Sequence, residues 1–424
     1  MIVFINHAKK QFGDVEVFEL LFLYSLGLTL FFLPFGVFPS NIFVVISMIL
    51  GVAQIVKTGM CNFWQWTLVL PIMVVFMTVT LIYSQDKAQG IKLLERSLSM
   101  FLLPIIISGM KINFNKHVRL FYFLIAGLIT TFAVSVTNSV MRSISIVNGD
   151  WFFNSSVDKS FAFYDSILRG GNYFFGGDFS QYFAHPTYIS LFATIGIIFL
   201  MNKKGKLSYI LISTLIIYIF LLSSRSAVFT LIVISVFYMI KFKVRKVKLI
   251  GLMGMLLIAI YILNPRTKVL YERLIDFTSK KNYNYTTSEQ SRLLAWNASI
   301  SLILDQPFFG FGIGDANDVL KEQYRTSEYN YNYNNDYNAH NQYLQTGLQM
   351  GFVGILLLIS PLLYAFIKYN NPHIQAVILC FIIAFLFESM LSRFYGVLFY
   401  TVVMSIILND KSATFTFEEN SKES

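Results

Sequence analysis

Two histidines in this chain stand where they could do chemistry. His340 lies in Ala339-His340-Asn341-Gln342-Tyr343, just ahead of a long apolar run. A neutral imidazole there can take a proton from a hydroxyl group as a general base. Asn341 beside it can orient the ring or the incoming hydroxyl. A purely structural histidine is the alternative, because a lone histidine needs separate support. His185 opens His185-Pro186-Thr187-Tyr188. Proline is at home at a helix start and the residue before it can cap the helix, so His185 and Tyr188 read equally as a cap or as substrate contacts. The other histidines, His7, His117 and His373, fall on flanks that the charge pattern assigns to the cytoplasm.

Arg225 sits in Ser223-Ser224-Arg225-Ser226, between two apolar runs, and Arg292 opens an amphipathic stretch further on. A cation at the end of apolar segments is expensive and usually faces a cavity or pathway. Guanidinium forks suit phosphate oxygens, so the two arginines suggest a diphosphate clamp. Pairing with Glu388, Glu289 or lipid phosphate is the competing account. Lys87, Lys92 and Arg96 form a further basic patch, for which lipid headgroup contact is the simpler reading. Arg393 follows Glu388 by five residues, which reads as a structural pair. Gly310, Gly312 and Gly314 are spaced like a nucleotide loop, but no βαβ unit surrounds them. They read instead as a turn packed closely on the bilayer surface. No His/Cys cluster, His-Glu-x-x-His pattern, Asp-x-Asp pair or Walker loop occurs, so neither a metal site nor a cofactor is expected.

These residues must be positioned by membrane helices. Of the 424 residues, 55% are hydrophobic and 13% charged, with a mean hydropathy of +0.60. Soluble domains carry about 25% charged residues. Apolar runs long enough for a core of roughly 30 Å predict about twelve spans, near 18–36, 40–56, 65–83, 97–110, 118–140, 187–201, 207–222, 227–240, 249–263, 344–367, 374–390 and 394–408. The first is read as a retained span and not a cleaved signal. The fold class is all-α, a polytopic bundle divided into 1–263, an insert 264–343, and 344–424 with its polar tail. The net charge of +10 collects in short loops, most densely at Lys241, Lys243, Arg245, Lys246 and Lys248. This is the positive-inside pattern of a membrane protein, and it argues against a nucleic-acid partner. It puts both termini in the cytoplasm and segments 84–96, 141–186 and 264–343 outside. Within the insert, Ser288–Leu304 has helical spacing (Leu293, Leu294, Ala298, Leu302) and ends before Pro307. The Tyr/Asn-rich run Ser327–Asn338 is either a sugar-contacting surface or a mobile polar loop, and its composition favours the loop. Cys61 and Cys380 read as buried small hydrophobes.

Three segments in order carry a resemblance to a known family: Ser224-Arg225-Ser226-Ala227; Arg292–Trp296 leading to Pro307 and Gly310-Phe311-Gly312; and His340-Asn341 with Gly347, Gly351 and Gly354. With the span pattern and the insert, the chain resembles the O-antigen ligase and polymerase superfamily. The resemblance implies a GT-C-like membrane glycosyltransferase in the bacterial inner membrane. Its substrates would be an undecaprenyl-diphosphate-linked glycan and a lipid A–core or other glycan acceptor, used at the periplasmic face. It implies Arg225 and Arg292 on the diphosphate, His340 as base for inverting attack, and a mainly helical insert. Gln349 departs from the acidic residue that many relatives carry there. Ligase, polymerase and protein O-oligosaccharyltransferase activities all fit, and length and the single insert lean towards ligase. A lipid-linked glycan transporter is the reading from another class.

Overall fold

An apolar run inside a bilayer can satisfy its own backbone only as a helix or in a closed barrel. The computed structural model describes residues 17–59, 65–110, 119–158, 161–168, 171–203, 205–241 and 288–409. Every expected span that falls on them is helical; the one at 249–263 lies outside the described residues, as do Cys61, His7, His117 and most of the 241–248 cation cluster. In chain order the elements are α1 (Val17–Phe32), α2 (Val37–Thr58), a 3-10 turn (Gln65–Leu68) entering α3 (Val69–Thr80), α4 (Lys87–Gly109), α5 (Leu120–Ser143), the antiparallel hairpin β1 (Ile144–Val147) and β2 (Asp150–Phe153), the short α6 (Phe163–Leu168) and α7 (Gly176–Phe179), α8 (Pro186–Met201), α9 (Lys206–Leu221), α10 (Arg225–Lys241), α11 (Ser288–Asp305), α12 (Ala316–Thr326), α13 (Asn330–Asn334), α14 (Gln342–Lys368), α15 (Pro372–Phe387) and α16 (Phe394–Leu408). By length and composition α2, α5 and α14 can cross a membrane, and α1, α3, α8, α9, α15 and α16 are shorter apolar helices.

Two compact units emerge. One holds α1 to Leu26, α2 from Ile42, α3, α4 and α11 to α16; the other holds Gly27–Asn41, α5 to α10 and the hairpin. Each has central helices that are apolar all round, as buried helices should be. In the second unit, α8 buries every residue from Tyr188 to Leu200 and packs on α5, α9 and α10. In the first, α15 and α16 are buried over most of their length. Peripheral helices instead leave apolar side chains such as Ile49, Val56, Ile210 and Ile217 uncovered, as a lipid-facing surface requires.

The stretch 84–96, expected as a loop, is mostly helix. Asp86 caps α4 by accepting from the Gln89 amide at 2.9 Å. The polar first half of α4 lowers its hydropathy, which hid it from a search for apolar spans. In the insert, α11 covers the stretch expected to be helical, but its inward face differs. Ala295, Ala298, Leu302 and Ile303 pack on Ala316, Leu320 and Tyr324 of α12, whereas Leu293 is exposed.

The glycine-rich run packs closely against backbone. Gly351 has φ +61°, which breaks α14 in mid-course. An unbroken helix would bond Phe352 N–H to Leu348 O and Val353 N–H to Gln349 O. Here the Leu348 and Gln349 carbonyls accept from Phe311 N at 2.8 Å and Gly312 N at 3.1 Å, while Phe352 and Val353 donate to the Pro307 and Phe308 carbonyls at 2.8 and 3.4 Å. The four groups freed by the break are thus re-paired with 307–312, as buried backbone demands. Such close approach leaves no room for a Cβ at Gly351, which would collide with the Phe308 carbonyl. Further along, both Asp315 carboxylate oxygens accept from the Gln85 and Asp86 amides at 2.7 and 2.8 Å, tying the insert to the start of α4.

Gly351→Ala is therefore expected to destabilise the protein by about 2–5 kcal/mol, combining left-handed strain with overpacking. Gly177→Ala, where an added Cβ meets nothing, should be near neutral. Thermal melts of the two variants in one detergent check this.

Candidate functional site

His340 sits on the short connection between α13 and α14, and the local sequence holds it there. Asn341 caps α14, its side-chain oxygen accepting from Tyr343 N and Leu344 N at 2.9 and 3.1 Å. That oxygen is committed to the cap. His340 itself has φ +45°, a left-handed conformation that costs about 1–3 kcal/mol and persists only when its surroundings impose it. They do. His340 N donates to Asn338 Oδ1 at 2.9 Å, and Ser389 Oγ donates to the same oxygen at 3.4 Å. Ala339 N donates to Gln345 Oε1 at 3.2 Å, and Leu391 N to Gln342 Oε1 at 2.7 Å. The loop is thereby fastened to α14 on one side and to the turn after α15 on the other.

That turn delivers Glu388. Its Oε2 lies 3.6 Å from His340 Nδ1, with the two side chains only 14% and 21% exposed. Little solvent screens a pair so placed. On another side, the Tyr337 ring meets the imidazole edge-on, centroids 4.9 Å apart at 86°. Tyr331 packs edge-on against Tyr337 at 5.8 Å. Burial pushes the Tyr337 phenol up to about 12, the neighbouring Tyr331 hydroxyl pushes the same way, and the Arg292 charge pulls it down. Arg292, half-buried on α11, is thus close enough to be felt there.

One unit therefore brings together Arg292, Tyr331, Tyr337, His340 and Glu388. Sequence reasoning picked out Arg292 and His340 but saw Glu388 only as a partner for an arginine, and it did not single out Tyr331 or Tyr337. An acidic residue closing an apolar run was the available signal for Glu388. The Tyr/Asn run is not the polar loop its composition favoured. It forms α13 and a turn, with Tyr329, Tyr333 and Tyr337 against the insert core and Asn332 wholly buried, its amide donating to Ser291 O at 2.8 Å.

The remaining candidates fall elsewhere. Arg225, exposed, is the first residue of α10 in the second unit, where Ser224 Oγ and Ser226 Oγ lie 3.3 Å apart. His185 caps α8 through Nδ1, which accepts from Thr187 N at 3.4 Å, and Tyr188 is buried among the helices. Lys92 is exposed on α4. Arg96, also on α4, donates from Nη1 to the Ser392 carbonyl at 3.3 Å, next to the turn that carries Glu388.

Asn332→Ala should cost about 1–3 kcal/mol by leaving the Ser291 carbonyl without its buried donor. Hydrogen exchange across 327–338 should rise in this variant while α15 and α16 keep their protection.

One relative gives no functional guide: an uncharacterized protein of Haemophilus influenzae (strain Rd) is 27% identical over 128 residues, 29% of this chain and 31% of that protein. The chain thus spans under a third of the relative it matches. Residues 209–359, a stretch containing Arg225, Arg292, His340 and the Gly351 break, match the family model described as O-antigen ligase. Over residues 209–359, therefore, the chain is similar to the O-antigen ligase family.

Proposed function

We propose that this protein is an O-antigen ligase. It transfers a glycan from undecaprenyl diphosphate to a hydroxyl of a lipid A–core acceptor at the periplasmic face of the inner membrane, without a metal. The observation that carries the reading is the His340–Glu388 pair, held on a strained loop, inside the stretch that matches the family and in the same unit as Arg292. His340 takes the proton from the acceptor hydroxyl. The oxygen attacks the anomeric carbon on the face opposite the diphosphate, the bond from that carbon to the phosphate oxygen breaks, and the configuration inverts. Arg292 meets the charge that collects on the departing diphosphate. Glu388 stabilises the imidazolium as it forms. Lys92 and Arg96 lie on the approach for anionic headgroups.

His340→Ala should insert normally and lose transfer by ~10²–10⁴-fold, the usual contribution of a general base. An in vitro assay with purified protein checks this, and normal transfer would remove the assignment. Arg292→Ala should raise the KM for the lipid-diphosphate donor much more than that for the acceptor; equal losses would point to a structural role. Lipopolysaccharide from a deletion strain, run on a gel, distinguishes the related activities. Loss of all long-chain material with accumulation of lipid-linked polymer means ligase, whereas loss of length alone means polymerase.

A further inference from the structure

Tyr337 occupies a position that the transfer reaction, as described, leaves unused. Its ring meets the His340 imidazole edge-on at 4.9 Å. Its other neighbours are Tyr331, edge-on at 5.8 Å, and the Arg292 charge. The backbone around it is fixed from several directions. Tyr337 N donates to the Asn332 carbonyl at 3.2 Å, and Asn332 is locked into the core through Ser291. The preceding Asp336, at φ +48°, is ion-paired to Lys321. The following Asn338 holds the His340 amide and the Ser389 hydroxyl. A side chain whose backbone is so firmly anchored, in contact with the base and within the influence of a cation, is placed to do more than fill space.

We propose that Tyr337 couples the donor's anionic group to the base: its ring holds the His340 imidazole in orientation, and its hydroxyl, beside that of Tyr331, donates to the same phosphate oxygens that Arg292 grips. The proposal rests on the glycan-transfer reading given above. The phenol stays neutral far above physiological pH, so it keeps its proton and serves as a donor to an oxygen-rich anion. A guanidinium with an adjacent hydroxyl gives directional as well as charged contacts to phosphate. The two functions reside on different atoms, so they separate by substitution. Phenylalanine keeps the ring and removes the donor; leucine removes both.

The test uses the full-length protein in lipid nanodiscs and undecaprenyl diphosphate lacking any glycan as the binding probe. Wild type should bind it, Arg292→Ala should lose most affinity, and Tyr337→Phe should bind about ten-fold more weakly, the size of one hydrogen bond to a charged group. In transfer assays Tyr337→Phe should raise the donor KM while keeping kcat within about two-fold, and Tyr337→Leu should also lower kcat at least ten-fold. Rescue of kcat by phenylalanine over leucine is the mark of ring support for His340. Melting temperatures show whether the leucine variant is folded, and the phenylalanine variant tests the hydroxyl regardless. If Tyr337→Phe binds the probe like wild type while Arg292→Ala does not, the anion contact is overturned and the transfer reading survives. If folded phenylalanine and leucine variants share one kcat, the ring's role is overturned. If wild type ignores the probe, or Arg292→Ala binds it normally, the transfer reading fails and this proposal falls with it.

Discussion

The break in α14 is the constraint from which the rest of the first unit follows. A helix interrupted at Gly351 frees two carbonyls and two amides in a buried setting, and leaving any of them unpaired would cost about 1–3 kcal/mol apiece. The segment 307–312 supplies four backbone partners, so α14 keeps its course only while that segment lies in the break. The insert is locked from the other end by Asp315 on the amides of Gln85 and Asp86. Helices α4, α11, α12 and the first half of α14 are therefore one mechanical piece. His340, one residue before the Asn341 cap of α14, inherits its position from that piece.

On the proposed chemistry, Glu388 suits the transition state better than the resting site. A carboxylate near an anionic donor repels it, so binding alone gives no reason for Glu388 to be there. Once His340 has accepted a proton, the pair is neutral overall and the carboxylate faces a cation 3.6 Å away. The interaction strengthens as the reaction proceeds, which is the form of binding that accelerates a step. Arg292 works in the same direction at the other end, gaining as negative charge builds on the diphosphate. Tyr337 stands in contact with both developments, as a neutral group that neither charge disturbs.

What could be read from the sequence was what composition and periodicity encode. Apolar runs marked helices because a bilayer leaves the backbone few other choices, and α11 ended before Pro307 as its pattern required. The order Arg225, Arg292, His340 carried the family resemblance that residues 209–359 bear out. The misses have physical causes. The first half of α4 is amphipathic, so hydropathy passed over it, although Asp86 was a legible cap. Leu293 has the residue type of a core position but faces outward, because small alanines let α11 and α12 approach closely. Glu388 and Tyr337 reach His340 through tertiary contacts across 48 and 3 residues, and no spacing rule announces either. The exchange of bonds at Gly351 was invisible for the same reason: its two halves lie about forty residues apart.

The Tyr/Asn run shows why low complexity and disorder are separate properties. A polar repeat stays unfolded when it lacks apolar area to offset the entropy of ordering. This repeat does not lack it, since the tyrosines at 329, 333 and 337 all pack against the α11–α12 core. Asn332, between two of them, turns inward and its amide donates to a backbone carbonyl of α11, so register is set by a hydrogen bond as well as by packing. Left-handed residues at Asp336 and His340 then bend the chain sharply on leaving the turn. Had the repeat been apolar, it would have packed as well but left no hydroxyls beside Arg292. Had it been more polar, it would not have held its shape. Tyrosine meets both demands, burying a ring while keeping a donor at its tip, which is why a repeat of so few residue types can form a wall of the site.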